Sequence, residues 1–442
     1  MGIVRIQIII LLIFTSMFFA AQSFSQIKIG VALPLMKDSP GSPDKATGEQ
    51  MLKGIKDALT EYELSNESLK VEIIIEDTGK DPEKTIDALN KFGSEPSIVS
   101  VIGPVFSAEL VNSAGAADFH KMPVISPTAT LNFLAEKNPF VFQLNPTYDI
   151  RGRLMAKYAF DKLSMKKFIV LSEDTYGKLY ADGFAEEVRS RSDTVLLTKY
   201  YKKDQWDLSN EAGEIRKFLE ENDRFIDFGN ITAADLEKIR KMGITKEMSD
   251  SLIIKKYLVS IYKLPGGVTA EAVISNGVTV SNFSDRSFNV VFGIADAIYI
   301  PIAGHDEISK VALALFKQRI NLTVLGTSDW NNEESLLGSK DVLPAVIIEA
   351  DFYITVEQKT DVKNMTEQDA RNYFFGLGAM RLILSEISKG NTSRSDLNES
   401  LESLKNYEAP YNRFTIINRT NHNLQIMKFQ KGILDKVEDF VY

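Results

Sequence analysis

The feature that most constrains the fold of this chain is a repeated order of strand, loop and helix that begins at Ile27. Residues 27–33 (IKIGVAL) form a run of β-favouring apolar residues, and residues 49–62 carry apolar side chains at helical spacing. The same order recurs as far as residue 130 and starts again at Phe168. Strands that alternate with helices through short loops predict an α/β fold with parallel sheets and helices on both faces.

The loops that follow the predicted strands are expected to lie at one edge of each sheet. Right-handed crossovers place all strand-to-helix loops at the same edge, and ligands bind at that edge in open α/β sheets. In the first set of strands these loops are 34–48, 103–107 and 126–130. In the second set the corresponding loops include 173–176 and 326–330. The three loops of the first set are therefore expected to converge in space.

Three later segments do not follow this simple order. Residues 204–292 form an insert between the two parts of the second set, and within it Val268–Phe283 has a β-like composition. Glu367–Ile387 carries a long apolar stripe that predicts a helix. Near the end of the chain, the pattern predicts a β-hairpin that pairs 414–417 with 424–429.

The first residues resemble an export signal. Arg5 supplies a short positive region, residues 8–21 are apolar, and Ser23 and Ser25 offer small residues for cleavage. The apolar run is shorter than the roughly 20 residues that span a bilayer. We therefore predict a signal peptide over residues 1–25 and a periplasmic protein that is soluble after cleavage, with an uncleaved membrane anchor as the alternative.

Composition excludes several classes of function. The chain has 442 residues, which suits two lobes of ordinary domain size. Its net charge is −9, and no basic cluster offers the positive surface that nucleic acids require. It contains no cysteine, so disulfides, thiol catalysis, zinc–thiolate sites and a lipidated cysteine are all excluded.

The sequence shows no pattern of residues typical of catalysis. His120, His305 and His422 are far apart, and none of them lies in a recognisable nucleophile or metal motif. Acidic pairs such as Glu186-Glu187 are adjacent in sequence rather than facing each other, and no Gly-rich phosphate loop is present. We therefore predict that the chain is not an enzyme and uses no metal or cofactor.

Six segments, taken in order and spacing, resemble the type I periplasmic binding proteins. The resemblance is to their leucine/isoleucine/valine-binding branch, which serves ABC transporters as substrate-binding proteins. The segments that carry it are IKIGVALPL (27–35), Gly48, EDTGKDPEKTIDALNKF (76–92), VIGPVFSAE (101–109), PVISPTAT (123–130) and FIVLSEDTYGKLYADGF (168–184).

This resemblance implies two Rossmann-like lobes with parallel central sheets, joined by three crossover strands. Lobe one would comprise residues 27–147 and 355–408, and lobe two residues 148–352 and 410–442 with the insert at 204–292. A monomer would capture a small amino-acid-like ligand in the cleft between the lobes by hinge closure. It would then deliver the ligand to a membrane ABC permease.

The resemblance also implies five ligand-binding residues. Ser107 would contact the ligand's carboxylate, Thr128 would use its backbone, and Thr130 its hydroxyl and amide. Tyr176 would close over the ligand from lobe two, and Asp329 would bind its ammonium group. Simpler roles remain open: Ser107 as an N-cap, the segment 126–130 as a plain turn with a helix cap, Tyr176 as a packed turn aromatic, and Asp329 as a solvated loop acid.

A second resemblance leads to a different function. DAIYIP (296–301) and LTVLGTSDWN (322–331) are similar to the subgroup of this fold that includes penicillin-binding-protein activators, which act on cell-wall synthases through protein contacts. The loop 36–46 lacks the aromatic residue that often flanks a branched ligand. The strand end 299–301 also lacks the small polar residues usual there. These two departures bear on the branched-chain specificity and not on the fold. The second resemblance gives a non-enzymatic regulator of cell-wall synthases as the alternative function.

Overall fold

The computed structural model describes residues 27–65, 70–283, 289–354, 362 and 364–442. The predicted signal peptide, residues 1–25, lies outside the described residues. Among the residues that are described, no helix combines the length and the apolar character that a membrane span requires.

The helices and strands follow one another in the order that the sequence pattern predicted for most of the chain. Up to residue 161 they are β1 (Ile27–Leu33), α1 (Asp44–Ser65), β2 (Val71–Asp77), α2 (Pro82–Gly93), β3 (Ile98–Ile102), α3 (Ser107–Phe119), β4 (Val124–Ser126), α4 (Leu134–Lys137), β5 (Val141–Gln143) and α5 (Tyr148–Asp161). Up to residue 300 they are β6 (Phe168–Glu173), α6 (Tyr176–Ser190), β7 (Val195–Tyr201), α7 (Ser209–Asn222), β8 (Phe225–Asp227), α8 (Ala233–Lys241), α9 (Lys246–Ile254), β9 (Tyr257–Ser260), α10 (Ala270–Ser275), β10 (Asn289–Val291) and β11 (Ala297–Ile300). The remainder are α11 (Glu307–Lys317), β12 (Thr323–Gly326), α12 (Glu333–Gly338), β13 (Val346–Ala350), α13 (Glu367–Ser388), α14 (Arg394–Glu402), β14 (Tyr407–Ala409), β15 (Asn412–Phe414), β16 (Ile416–Ile417), β17 (Thr420–Asn421), β18 (Asn423–Gln430) and β19 (Ile433–Val441).

The chain divides into two compact units. Unit 1 contains the described residues up to Ala129, together with Leu134–Leu144 and Glu367–Ser403. Unit 2 contains Thr130–Phe133, the described residues of Asn145–Thr366, and Leu404–Tyr442. Each unit is therefore assembled from segments that are distant in sequence.

Unit 1 is built on a sheet of five parallel strands in the order β5-β4-β3-β1-β2. All five residues of β3 (IVSVI) are buried, as expected for a central parallel strand covered on both faces. Helices α2 and α3 pack on the sheet through residues such as Leu89, Phe92 and Leu110. The α/β fold predicted for this part of the chain is confirmed.

Helices α1 and α13 of unit 1 approach each other very closely. A Cβ atom at Gly54 would lie 2.1 Å from the carbonyl oxygen of Tyr373 on α13, so only glycine fits there. The Tyr373 hydroxyl donates to Asp57 on α1 at 3.0 Å. The predicted helix over Glu367–Ile387 is confirmed, whereas α1 begins at Asp44 and not at residue 49.

The main sheet of unit 2 has five parallel strands, β7-β6-β11-β12-β13, and two antiparallel ones, β18 and β19. Trp330 holds the turn after β12 against the end of β11, because its indole N–H donates to the carbonyl of Ile300 at 2.8 Å and its ring is fully buried. The predicted parallel strands of the second set are confirmed, and the chain's final residues extend the sheet.

The predicted hairpin between 414–417 and 424–429 is wrong. Asn418 and Arg419 both have positive φ (49° and 63°), so they form a tight two-residue turn that pairs β16 with β17. The following strand, β18, pairs instead with β13 and β19. The error arose because turn-forming Asn residues were read as one long loop.

The insert folds as a small three-stranded sheet, β10-β9-β8, with its own core, which includes Ile226, Ile239, Val259 and Val273. The predicted β-like run at 268–283 is wrong over most of its length, because Thr269 caps the short helix α10 there.

Within the predicted insert, α7 packs in the core of the main sheet through Ala212 and Leu219. The separately folded part is residues 224–292, and its two ends are joined by one buried carboxylate. Asp223 accepts hydrogen bonds from Ser260 Oγ at 2.6 Å, from the Gly293 amide at 2.8 Å and from the Ile294 amide at 3.1 Å. The chain therefore enters and leaves the insert at the same place.

Candidate functional site

In unit 1, the loop after β1 is held by a single carboxylate. Asp77, at the end of β2, accepts backbone hydrogen bonds from Leu35 (2.8 Å), Met36 (3.1 Å), Lys37 (2.8 Å) and Gly79 (2.9 Å). Burial raises the pKa of Asp77, but the four N–H donors outweigh burial and hold its pKa below the usual range. The loop therefore has a fixed backbone at the carboxyl edge of the sheet.

Ser107 is the first residue of α3, at the same edge of unit 1. The interpretation of Ser107 as an N-cap is wrong, since Phe106 occupies the cap position and its amide donates to the Glu109 carboxylate at 3.3 Å. Glu109 is 1% exposed, and its burial raises the pKa of its carboxyl group. A glutamate two residues beyond Ser107 was visible in the sequence, but its role at the helix start was missed.

Thr128 holds the loop that leads into α3. Its hydroxyl donates to the carbonyl of Val105 at 3.0 Å, and the Ser126 hydroxyl donates to the carbonyl of Pro104 at 2.6 Å. The structure thus brings residues 103–107 and 126–129 together within unit 1, as predicted for these two loops. The hydroxyl of Thr128 is engaged with the backbone, which agrees with a role for this residue through its main chain.

Thr130 belongs to unit 2, although the sequence placed it with Ser107 and Thr128 in lobe one. Its carbonyl accepts from the Tyr148 amide at 3.1 Å, and its side chain hydrogen-bonds the side chain of Tyr148. It therefore lies beside the first turn of α5.

Three tyrosines lie together in unit 2. Tyr176 begins α6 and is 54% exposed. Its ring lies 5.8 Å from that of Tyr148, which in turn lies 4.9 Å from that of Tyr180. The buried Glu173 carboxylate accepts from the amides of Thr175 (2.8 Å) and Gly177 (3.0 Å), which fixes the backbone around Tyr176. A half-exposed ring on a rigid turn is available to a ligand.

Asp329 lies on a 3-10 turn, Ser328–Trp330, at the end of β12. Its negative charge raises the pKa of Glu349, Tyr148 and Tyr180, so it lies near all three. Unit 2 therefore brings together Thr130, Tyr176 and Asp329, and unit 1 brings together Ser107 and Thr128.

Sequence reasoning missed the most highly connected residue of this region, Arg151 on α5. Its side chain is 1% exposed and forms ion pairs with Glu349 (2.7 Å) and Asp351 (2.9 Å). It also donates to Ser328 Oγ at 3.0 Å and to Asn145 Oδ1 at 2.5 Å. The signal was weak, because an arginine in a helix is usually a surface residue and its acidic partners lie far along the chain.

Acidic groups outnumber the arginine in this cluster. Burial raises the pKa of the Glu349 carboxyl, and the charges of Asp351 and Asp329 raise it further, against the opposing effect of Arg151. Burial lowers the pKa of the guanidinium, but Glu349 and Asp351 outweigh it and hold that pKa above its usual range. Because the pKa of Glu349 is raised to about 8, this carboxyl is largely protonated at pH 7, and Asp329 and Asp351 are the other acids that the structure describes around Arg151.

Comparison with known proteins agrees with this architecture. A sequence family described as periplasmic binding protein matches residues 26–218. A putative branched-chain amino acid ABC transporter structure from Rhodospirillum rubrum superimposes with a TM-score of 0.67 at 14% identity, and the match covers 93% of this chain and 100% of that one. The fold is that of a type I periplasmic binding protein.

Solved structures that share this fold include proteins described with different ligands. A leucine-binding protein from Thermotoga maritima has a TM-score of 0.54 at 16% identity, covering 94% of this chain and 99% of that one. A solute-binding protein from R. palustris, in complex with 4-hydroxybenzoate, has a TM-score of 0.56 at 14% identity, covering 94% and 97%. The described family and these solved structures are those that the sequence resembles, and the structures share the fold of this chain.

Curated relatives match only part of the chain. An uncharacterized protein of Methanocaldococcus jannaschii is 26% identical over 134 residues, which is 29% of this chain and 32% of that protein. A probable metabotropic glutamate receptor of Caenorhabditis elegans is 27% identical over 121 residues, or 27% of this chain and 12% of that one. The chain thus spans a third or less of the length of these relatives.

Proposed function

We propose that this chain is an exported receptor that captures a small amino-acid-like ligand and delivers it to a membrane ABC permease. The observation that carries the proposal is the position of the acidic side chain of Asp329 near Tyr148, whose ring lies beside the exposed ring of Tyr176. A protonated amino group satisfies such a site, because an opposite charge and an aromatic face both stabilise a cation.

Unit 1 supplies the complementary chemistry for the ligand's carboxylate. The first turn of α3 presents backbone N–H groups, and the Ser107 hydroxyl lies at its first position. The Thr128 hydroxyl keeps the preceding loop in place by its bond to Val105. An anion bound here would need no full positive charge, because aligned N–H donors stabilise it.

Closure of the protein on its ligand would follow the hinge motion of the family. Ser107, Thr128 and Thr130 would bind the polar head of the ligand, and Tyr176 and Asp329 would contact its cationic side. Burial of a charged ligand requires a partner for each of its polar atoms, and these residues supply both kinds of partner.

Thermal unfolding of the chain without residues 1–25, in the presence of single compounds, tests this function. The compounds are amino acids, the matching amines, and aromatic acids such as 4-hydroxybenzoate. A ligand that binds only the folded state stabilises it by about 2.7 kcal/mol at a hundredfold excess over Kd. We expect amino acids to raise the unfolding temperature and aromatic acids, which lack a cationic group, to leave it unchanged.

The variant Asp329→Asn tests the residue assignment in the same assay. We expect it to weaken binding by about 1.5–3 kcal/mol, the range for a hydrogen bond to a charged group. Glu334→Gln removes an exposed acid from the same unit and serves as the matched control. Equal affinity of Asp329→Asn and the control would remove Asp329 from the site, and a response to aromatic acids alone would contradict an amino-acid-like ligand.

Regulation of a cell-wall synthase is the alternative function, and the insert is the observation that favours it. The insert has its own core, and Ile254 and Ile274 on its helices are 79% and 64% exposed. An exposed apolar patch is typical of a protein contact surface where its residues are contiguous. Co-purification of a synthase with the full chain, lost in Ile254→Ser plus Ile274→Ser, would favour this function over solute capture.

A further inference from the structure

Every N–H donor of the Arg151 guanidinium has an acceptor within unit 2. Nε donates to the carbonyl of Pro146 (3.1 Å). Nη1 donates to Ser328 Oγ (3.0 Å) and to the Glu349 carboxylate (2.7 Å). Nη2 donates to Asn145 Oδ1 (2.5 Å) and to the Asp351 carboxylate (2.9 Å). A planar group with five occupied donors holds all its partners in one relative arrangement.

These partners fall into two groups along the chain. Ser328 begins the turn that carries Asp329, and its amide also donates to Glu349 at 3.2 Å. Asn145 and Pro146 are the residues with which the chain re-enters unit 2 after Leu144, and Asp351 directly follows β13, after which the chain continues to unit 1. Arg151 therefore joins the turn of Asp329 to both of these connecting segments.

If either the turn of Ser328 or the connecting segments moved, some of the hydrogen bonds of the buried Arg151 would be lost. Arg151 and Glu349 are 1% and 0% exposed, so water cannot replace a lost hydrogen bond at the centre of the network. Asn145 strengthens the link, because its amide donates to the same Asp351 oxygen at 2.9 Å. The turn and the connecting segments therefore change position together or not at all.

We propose that Arg151 is a positioning residue that couples the Asp329 turn to the chain segments 145–146 and 351. It acts without touching the ligand, and the role rests on the proposed function of Asp329 as a ligand-binding residue. Ligand affinity then depends on contacts at Asn145 as well as on contacts at Ser328.

Two single variants cut the network on opposite sides while leaving both ion pairs in place. Ser328→Ala removes the contact of Arg151 with the turn, and Asn145→Ala removes its contact with the connecting segment. We expect each single variant to weaken amino-acid binding by about threefold to tenfold. We expect the double variant to have the same affinity as the single variant that binds more weakly, because both substitutions interrupt the same network. Additive losses, or unchanged affinity in both single variants, would overturn the coupling.

A second readout requires no ligand. The chain has two tryptophans, and Trp330 directly follows Asp329, so a Trp206→Phe background leaves Trp330 as the reporter of the turn. We expect Asn145→Ala to change the emission maximum and acrylamide quenching of Trp330. The control Asn222→Ala, which removes a surface amide from α7, leaves both unchanged. An unchanged Trp330 signal in folded Asn145→Ala contradicts the proposal.

The two readouts separate this proposal from the proposed function. If no amino acid binds the unaltered chain but Trp330 responds to Asn145→Ala, the coupling stands and the receptor function fails. If amino acids bind but neither readout changes, the receptor function stands and the coupling fails. Asn145→Ser, which keeps a polar hydroxyl in the buried network, replaces Asn145→Ala if the latter does not fold.

Discussion

His422 is a residue of unit 2 whose charge state depends on folding. It lies between β17 and β18, 8% exposed, with its ring stacked on Tyr442 at 5.8 Å. Burial lowers the pKa of its imidazole from 6.5 to about 4. The unfolded chain therefore binds a proton near pH 6.5 that the folded chain binds only near pH 4, so protonation favours unfolding between these values.

We expect the free energy of unfolding to fall by about 3 kcal/mol through this group as the pH drops from 7 to 4. His422→Phe retains a ring against Tyr442 and removes the titration, so its stability falls less over the same interval. Urea unfolding at pH 7, 5.5 and 4 measures the difference. His305→Phe, at an exposed histidine, is the control, and identical pH profiles for His422→Phe and the unaltered chain would refute this assignment.

Arg151 offers a stability test that is separate from ligand binding. Arg151→Ala leaves Glu349 and Asp351 buried without their cation, so we expect a loss of about 3–5 kcal/mol in urea unfolding at pH 7. Burial raises the pKa of Glu349 to about 8, so this carboxyl titrates above the interval from pH 7 to 4.5 and adds no pH dependence to the loss there.

Arg381→Ala removes one member of an exposed ion pair with Glu61 and serves as the control for Arg151→Ala. We expect it to cost less than about 1 kcal/mol. If Arg151→Ala lowered the free energy of unfolding by a similarly small amount, the buried ion pairs would contribute little to stability.

At the residue scale, the sequence predicted the positions of Ser107, Thr128 and Asp329 in edge loops because these loops are defined by local pattern. Their roles in ligand binding stay predictions. Arg151 was not predicted, since its acceptors Glu349 and Asp351 lie about 200 positions away and no local pattern records such a contact. Long-range polar partners become visible only when the sheet that brings them together is known.

At the scale of elements, α5 and α6 of unit 2 pack with almost no space between their backbones. A Cβ atom at Gly152 would lie 2.1 Å from the carbonyl oxygen of Tyr180. Gly152→Ala therefore forces the helices apart, and we expect it to destabilise the protein by about 1–3 kcal/mol in urea unfolding.

Gly213→Ala in α7 is the matched control, because the nearest heavy atom to its added Cβ lies 3.7 Å away. Since alanine favours a helix over glycine by up to about 1 kcal/mol, we expect this variant to be as stable as the unaltered chain or more stable. Equal effects of the two substitutions would show that the close approach of α5 and α6 has no energetic consequence.

The sequence predicted elements well where hydrophobic periodicity was strong, as in β3 and α13. It failed in the tail, where pairing depends on the two-residue turn at Asn418-Arg419 and on Lys431-Gly432, which has positive φ at both residues. A strand's composition predicts that it is a strand, but its partner depends on turn geometry and on strands elsewhere in the chain.

At the scale of the whole molecule, removal of the insert tests whether unit 2 folds and binds its ligand without it. Replacing residues 224–292 by a short Gly linker leaves β7 and β11 in the chain, and the Asp223 carboxylate already lies 2.8 Å from the Gly293 amide. Because Phe225, Leu258 and Phe292 also pack in the core of the main sheet of unit 2, we expect the shortened chain to unfold at a lower temperature than the full chain, but still cooperatively and with the amino-acid-induced rise in unfolding temperature. Circular dichroism and thermal unfolding beside the full chain measure both. Loss of cooperative unfolding would mean that unit 2 requires the insert core.

The hydrogen bonds of Asp223, which hold the two ends of the insert together, also have a consequence for folding kinetics. β11 pairs with β6 across more than a hundred intervening positions, and the entropy of closing a flexible loop of that length slows assembly. An insert that folds first and ties its own ends together at Asp223 turns most of that distance into a short connection. Early collapse of the insert would therefore accelerate the search by which β11 finds its place between β6 and β12.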